Sequence, residues 1–234
     1  MVSTQSSFKQ LPLPIPLSAE ATFDNFYISN ENQLTITALR ECTKNRELFF
    51  YLWGSGCGVS HVLQAIQHEQ SDRTIVYLPL KELVQYPAED VLAGLDTAEM
   101  VILDDLQSVV GKEDWEHVLF HLYNRLRDAN KRLIIGAQLS PRELPVGLPD
   151  LQSRLQWGMS YRLSTLSDDD KQQAIKLRAK NLGLRIGDEV IQYIFNHYSR
   201  DFRQLMHFLS LIDEASMAEQ RHLTIPFVKQ VLSS

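Results

Sequence analysis

Leu48-Phe49-Phe50-Tyr51-Leu52-Trp53-Gly54-Ser55-Gly56-Cys57-Gly58-Val59-Ser60-His61, with Val62, Leu63, Ile66 and Gln67 after it, is a run of strand formers, a glycine cluster and a helical pattern. Strand, glycine-rich loop and helix form the layout of a phosphate loop. In such a loop backbone N–H groups turn onto an anion, a lysine meets the β/γ charge and a Ser or Thr hydroxyl serves Mg²⁺. Against the template G-x4-G-K-[ST], Gly58 and Ser60 fit, Trp53 stands at the first glycine and Val59 at the lysine. Gly54 takes the first glycine role if the loop is one residue short. The loop predicts an anion cradle without its fixed positive charge, a change that weakens a triphosphate more than a diphosphate. Read alone, it fits equally well a glycine turn that only joins strand to helix. A dinucleotide loop is disfavoured, because its third glycine would fall at Val59 and the next strand ends in Pro79 with no acid placed for a ribose. Cys57 as a redox group and His61 as a phosphate contact are candidates, each more often structural.

A second signature follows. Met100-Val101-Ile102-Leu103-Asp104-Asp105 is an apolar run ending in two acids. In phosphate-loop proteins such a strand lies beside the loop, its first acid serves Mg²⁺ and the next orients water. Any strand leaving into an acidic turn gives the same letters; paired with the loop, they favour a nucleotide site.

Further strands fit 74–78, 100–103, 133–137 and 160–163, and a helix fits 33–43. The clearest helix is 115–129, where Trp115, Val118, Leu119, Leu122 and Leu126 share one face. Alternating strands and helices predict an α/β fold, a parallel sheet flanked by helices. After Thr165 the strand signal stops. Ser167 followed by Asp168, Asp169 and Asp170 is a capped helix start with acids facing the positive end of the dipole, and helices follow at 168–181, 188–198, 200–220 and from Pro226. The expected organisation is an extended tail over 1–21, an α/β domain over 22–165 and a small all-helical domain over 166–234. In the tail, Gln10-Leu11-Pro12-Leu13-Pro14-Ile15-Pro16-Leu17 is held extended by its prolines.

Composition narrows the function classes. With 234 residues, 44% hydrophobic and 22% charged, the chain can bury a substantial core without staples. Cys42 and Cys57 are its two cysteines, without metal spacing, which fits a reducing compartment. No apolar run reaches the roughly 18 residues of a membrane span, and the polar start carries no export signal. The net charge of −6 provides no global attraction to DNA or anionic lipid. A cytoplasmic protein with protein or nucleotide partners is expected.

Taken together, these residues resemble the AAA+ ATPases of the replication initiator DnaA group, and more closely its short DnaA-homologous regulators, from Thr22 to the end. Thr22-Phe23-Asp24-Asn25-Phe26 with Asn30 looks like the segment that opens the AAA+ domain and encloses adenine, and Leu103-Asp104-Asp105-Leu106-Gln107 is similar to the initiator's Walker B. Trp115 with Phe120, Leu122-Tyr123-Asn124-Arg125, Leu148-Pro149-Asp150-Leu151-Gln152-Ser153-Arg154-Leu155 and Leu223-Thr224-Ile225-Pro226-Phe227-Val228-Lys229 look like the short regulators. The resemblance implies a nucleotide site of Phe26, Gly54, Gly56, Cys57, Gly58, Val59, Ser60, His61 and Asp104, with Ser60 and Asp104 toward Mg²⁺ and Asp105 as the second Walker B acid. It implies Gln138 at sensor 1, where Ile135-Gly136-Ala137-Gln138 departs from the family's polar residues. Arg154 matches the arginine finger, a planar, permanently charged donor able to enter a neighbour's site. Arg200 and Arg203 both match sensor 2: DnaA-like spacing picks the first and the wider AAA+ pattern the second. The stretch from Gln10 to Ile15 resembles a sliding-clamp-binding peptide, with the Gln10 amide giving directional bonds and Leu11, Leu13 and Ile15 serving as anchors around Pro14 on a pre-extended backbone.

The resemblance therefore implies an adaptor that docks on the replication sliding clamp and stimulates hydrolysis of ATP bound to DnaA, limiting re-initiation. ADP is the expected nucleotide, Mg²⁺ an optional companion, and intrinsic hydrolysis weak or absent. Self-association through the finger face stays open. The acidic balance and an end at Ser234 leave no expected double-stranded DNA-binding domain, with association to the replisome instead. Two other readings compete, a phosphate-loop ATPase acting in its own right and an AAA+ scaffold or loader not tied to the clamp.

Overall fold

The structure is a computed structural model and describes residues 21–44, 46–70, 72–219 and 223–232. The peptide expected at residues 10–15 lies outside them. The described chain enters through a 3₁₀ turn, Phe23–Asn25, and α1, Gln33–Arg40. β1 (Phe49–Trp53) and α2 (Val59–Glu69) flank the glycine loop. β2 (Ile75–Pro79), two single-turn helices α3 (Leu80–Leu83) and α4 (Ala88–Val91), and β3 (Met100–Asp104) follow. Then come α5 (Glu113–Asp128), β4 (Arg132–Ala137), α6 (Pro149–Leu155) and β5 (Met159–Arg162). The chain closes with α7 (Asp168–Asn181), α8 (Asp188–His197), α9 (Phe202–Glu219) and α10 (Ile225–Leu232).

The five strands form one parallel sheet in the order β2-β3-β4-β1-β5. Successive strand side chains point to opposite faces, so each strand feeds two cores. Tyr51, Val101, Leu103, Leu133 and Ile135 meet α5 and α6 on one face through Trp115, Leu119, Leu122, Leu151 and Leu155. Phe50, Leu52, Met100, Ile102 and Ile134 meet α1 and α2 on the other through Ile36, Leu39, Val62, Leu63 and Ile66. A sheet covered on both faces explains the near-continuous apolar runs of β1 and β3. A third core, built on Ile175, Ile191, Ile194, Leu205, Leu209 and Val228, joins the last four helices. Ser167 caps α7: its Oγ accepts from the Asp170 N–H at 3.1 Å and its O–H donates to Asp170 Oδ2 at 2.7 Å. Among the described residues no helix is long and apolar enough to cross a membrane.

Parallel strands bring their carboxyl ends to one edge, where the loop after β1, Asp104 of β3 and Gln138 after β4 gather. On the α5 side, one buried carboxylate sets the approach to α6. Glu116 is 3% exposed, and it accepts from the N–H groups of Gly111 at 2.7 Å, Gly147 at 3.1 Å and Leu148 at 2.7 Å. It thereby pins the start of α6 to α5. Glu116→Ala leaves three backbone donors without their acceptor and is expected to cost about 3 kcal/mol in urea unfolding, whereas Glu116→Gln, keeping one acceptor oxygen, costs about half of that.

Candidate functional site

The loop between β1 and α2 opens onto a cavity of about 290 Å³ lined by Gly54, Gly56, Gly58, Val59, Ser60, Asp104, Asp105, Ala137 and Gln138 from the sheet edge, and by Phe202, Arg203 and Met206 from α9. Gly58 immediately precedes α2 at φ 93°, a left-handed conformation that glycine adopts without strain, and a Cβ there would lie 2.9 Å from the Phe26 ring. The first turn of α2 faces the cavity, and a helix N-terminus favours an anion. Val59, at the lysine position, is buried and belongs to the core beneath the sheet. A Cβ on Gly136 would lie 3.0 Å from Val59 Cγ1 and 2.5 Å from Leu63 Cδ1, so α2 packs on β4 where β4 has no side chain. The side chain that carries the loop's charge in the general template is here a packing group.

Asp104 is 2% exposed and surrounded by donors. The Tyr77 hydroxyl donates to Oδ2 at 2.7 Å, the Asp105 N–H donates to Oδ1 at 2.8 Å, and the Ser60 hydroxyl also bonds it. Gln64 Nε2 donates to the Tyr77 oxygen at 3.1 Å, which orients that hydroxyl onto the acid. Burial pushes the Asp104 carboxyl above its ordinary value against the pull of Ser60 and Tyr77. Burial, with Asp104 alongside, pushes the Tyr77 hydroxyl far up, so it is the donor of the pair. Asp105 sits at φ 56° with Oδ1 held by Gln107 Nε2 at 2.7 Å, and Gln107 Oε1 accepts the Gln138 N–H at 3.1 Å. These bonds fit magnesium poorly. The ion keeps several waters and wants carboxylate oxygens free, whereas Asp104 is enclosed by three donors and Asp105 is tied to Gln107. Among the described residues no three His, Cys, Asp or Glu converge on a metal position.

A second cavity of about 320 Å³ adjoins the first through Gly58, Phe202 and Met206, and is lined by Asn25, Phe26, Tyr27, Cys57, His61, Leu166, Ala174, Arg178 and His207. Its size and half-apolar lining suit a planar base. His61 lies here and not with the phosphate cavity. One turn into α2 it faces the 22–27 segment, where Nε2 meets the Thr22 carbonyl at 2.8 Å and the ring lies 5.3 Å from that of Phe26. Burial, with a smaller effect from Arg178, lowers its pKa below the ordinary imidazole value and keeps it neutral. Cys57 turns to the same side, and its thiol is pushed up by burial, which suits packing and opposes thiolate chemistry. Tyr27 donates to Asp170 Oδ1 at 3.1 Å and Asn181 donates to the Asp24 carbonyl at 3.4 Å, tying this segment to α7.

The two sensor candidates separate. Arg200 pairs with Asp168 at 3.0 Å, away from both cavities, while Arg203 lines the phosphate cavity. Arg154, at the end of α6, lines neither cavity. It lies against two aromatic rings, with Cζ 5.8 Å from the Tyr123 centroid and 5.4 Å from that of Trp157.

Residues 17–162 match the family model described as the bacterial DnaA ATPase domain, and residues 168–232 match the one described as Hda, lid domain. This chain belongs to the bacterial DnaA ATPase family. An uncharacterized protein of Haemophilus influenzae is 43% identical over 230 residues, spanning 96% of this chain and 99% of that one. Domain III of the Thermotoga maritima replication initiation protein DnaA is 22% identical with a TM-score of 0.79, over 94% of this chain and 98% of its own. AMPPCP-bound DnaA from Aquifex aeolicus is 23% identical with a TM-score of 0.71, over 88% and 71%. These two share the AAA+ fold of the DnaA family, a parallel sheet flanked by helices with a helical lid.

Several lining residues of this DnaA-family site escape a linear reading. Tyr77 meets Asp104, and Gln64 meets Tyr77, only once β2 and α2 are packed beside β3; Arg178 and His207 reach the base cavity only when α7 and α9 fold over it. Gln107 was within reach as a polar residue two positions past the acids. Two tests follow. Arg203→Ala should weaken adenine-nucleotide binding about tenfold by calorimetry, one charge-assisted bond being worth that much, and Arg200→Ala should leave it unchanged. The unfolded chain binds the His61 proton more readily than the folded one. The stability from keeping it neutral is therefore present above the ordinary imidazole value and lost as pH falls toward the lowered one. From about pH 7 to pH 5 the melting temperature of His61→Gln should fall less than that of the wild type.

Proposed function

We propose that this chain is a regulatory adaptor of replication initiation. It holds an adenine nucleotide, preferably ADP, between the glycine loop and the lid, and offers Arg154 to the ATP site of DnaA. The observation that carries this reading is the position of Arg154: it lines neither cavity of its own chain, so a phosphate it serves belongs to another chain. Val59 supports the same division, because a loop whose lysine position is packed into the core has lost its fixed cation for a γ-phosphate while keeping the helix N-terminus for a diphosphate. Asp105 and Gln107 hold each other and Asp104 is enclosed, an arrangement suited to a stable bound state more than to turnover.

In this reading the Gln10, Leu11, Leu13, Pro14 and Ile15 peptide docks on the sliding clamp, which gathers the adaptor on replicated DNA, and Arg154 neutralises charge as the γ-phosphoryl of the DnaA-bound ATP leaves. The reading rests on family membership and on the chemistry of these residues. ATP hydrolysis by ATP-loaded DnaA, measured with DNA-loaded clamp, should be strongly stimulated by the wild type and return close to the unstimulated rate with Arg154→Ala, since such a finger is worth on the order of 10³-fold. Equal stimulation by both proteins would end the finger assignment. Brisk ATP turnover by the isolated chain, abolished by Asp105→Asn, would favour an ATPase acting in its own right.

A further inference from the structure

Arg154 lies against two rings, whereas Arg162 meets one, Trp53 at 5.5 Å, and several other arginines of the α/β part are paired through their N–H donors. Arg40, Arg73, Arg125 and Arg127 each lie within 4 Å of a carboxylate, and Arg132 donates to the carbonyls of Cys42 and Thr43. Such partners take the edge of the guanidinium, where its five N–H donors lie. Among the described residues no carboxylate comes within 4 Å of Arg154, and its recorded neighbours are the Tyr123 and Trp157 rings, both within the roughly 6 Å over which a ring face attracts a cation. A ring attracts the cation without taking its N–H donors in an ordinary hydrogen bond, so those donors stay unspent.

The two rings differ in support. Tyr123 is 4% exposed and stacked on Phe49, with centroids 4.1 Å apart and planes 16° apart, which makes it a fixed wall from α5. Trp157 is 62% exposed, the most open large apolar side chain on this face, in the turn that leaves α6 for β5. Its N–H donates to the Arg154 carbonyl at 3.0 Å, so backbone and ring both fix it relative to the arginine. A large aromatic left this open gains little from burial; its observed contact is the cation.

We propose that Tyr123 and Trp157 are positioning residues that hold the Arg154 guanidinium against their rings, leaving its N–H donors ready for the phosphoryl oxygens of a nucleotide bound by a neighbouring chain. The inference rests on the finger reading above. Holding the side chain extended removes rotamer freedom before the encounter, so less is lost when the oxygens are met. The effect falls on the rate once the chains are docked, and not on docking itself.

Two measurements test it with the full chain. Iodide gathers around a cation, so Arg154→Gln should lower iodide quenching of the tryptophan emission, leave acrylamide quenching unchanged, and have no effect in a Trp157→Phe background. Unchanged iodide quenching would overturn the proposed contact. In the clamp-dependent assay of DnaA-bound ATP, Trp157→Ala should lower the maximal rate about threefold at unchanged half-saturating adaptor concentration, and Trp157→Phe should restore most of it. Trp157 is exposed, so the substitution leaves the core intact. If Arg154→Ala abolishes stimulation while Trp157→Ala keeps the wild-type maximum or only raises the half-saturating concentration, the cradle falls alone. If Arg154→Ala stimulates fully, the finger reading falls and takes the cradle with it.

Discussion

Asp104 is a carboxylate buried at the end of the most enclosed strand of the sheet, and a buried charge is tolerated only where donors replace the water it has lost. Those donors come from three places: Tyr77 on β2, Ser60 on α2 and the backbone of Asp105, with Gln64 of α2 orienting Tyr77. Gly136 on β4 supplies the space, since a Cβ there would lie 2.8 Å from Asp104 Oδ1 and 2.5 Å from Leu63. One carboxylate thus fixes how β2, β3, β4 and α2 meet. The glycine loop inherits that geometry, because α2 begins where the loop ends.

Much of this architecture is legible in the sequence because two periodicities do not overlap. Runs such as Phe49 to Trp53 and Met100 to Asp104 are too short and too continuously apolar for an exposed helix, and each is followed by a turn residue or an acid. The α5 pattern and the Ser167 cap place helices within a few residues of where they stand. The short helices α3 and α4 carry too few residues for a period to show. At the site, the residues that announce themselves are those whose chemistry depends on local order: glycines in a loop, paired acids at a strand end. Arg200 and Arg203 show the limit. Both satisfy a spacing rule, and only the packing of α7 against α9, which brings Asp168 to Arg200, separates them. His61 is similar. Beside the loop it reads as a phosphate contact, but the helical turn carries its ring round to Thr22.

The base cavity is built from two bodies that the chain connects only through residues 163–167. Phe26, Cys57 and His61 come from the α/β side, and Arg178, Phe202, Met206 and His207 from the helical side. The 22–27 segment lies between them, bonded to α2 through Thr22 and His61 and to α7 through Tyr27 and Asn181. Side chains in this joint are held by hydrogen bonds as well as by packing, Asn181 donating both to the Asp24 carbonyl and to Asn25 Oδ1. A ligand that fills the cavity would touch both bodies at once, and such a ligand stabilises the state it bridges.

The distribution of cations gives that bridging a direction. In a loop with its lysine, the phosphates are neutralised from the same helix that cradles them, and the lid is an addition. Here Val59, packed against the core, brings no charge to the cavity it lines, and the guanidinium there belongs to Arg203 on α9. Attraction between phosphate and arginine acts across the joint instead of within one body. A bound diphosphate would then hold lid and sheet together in proportion to its charge, and the relative placement of the two bodies becomes what the nucleotide controls. Arg154 stands on α6, whose start Glu116 ties to α5, so it belongs to the α/β body and not to the lid. With valine at the lysine position, the side-chain cation that a phosphate in this cavity would meet stands on the lid, so that neutralising the phosphate and drawing the lid to the sheet would be one event.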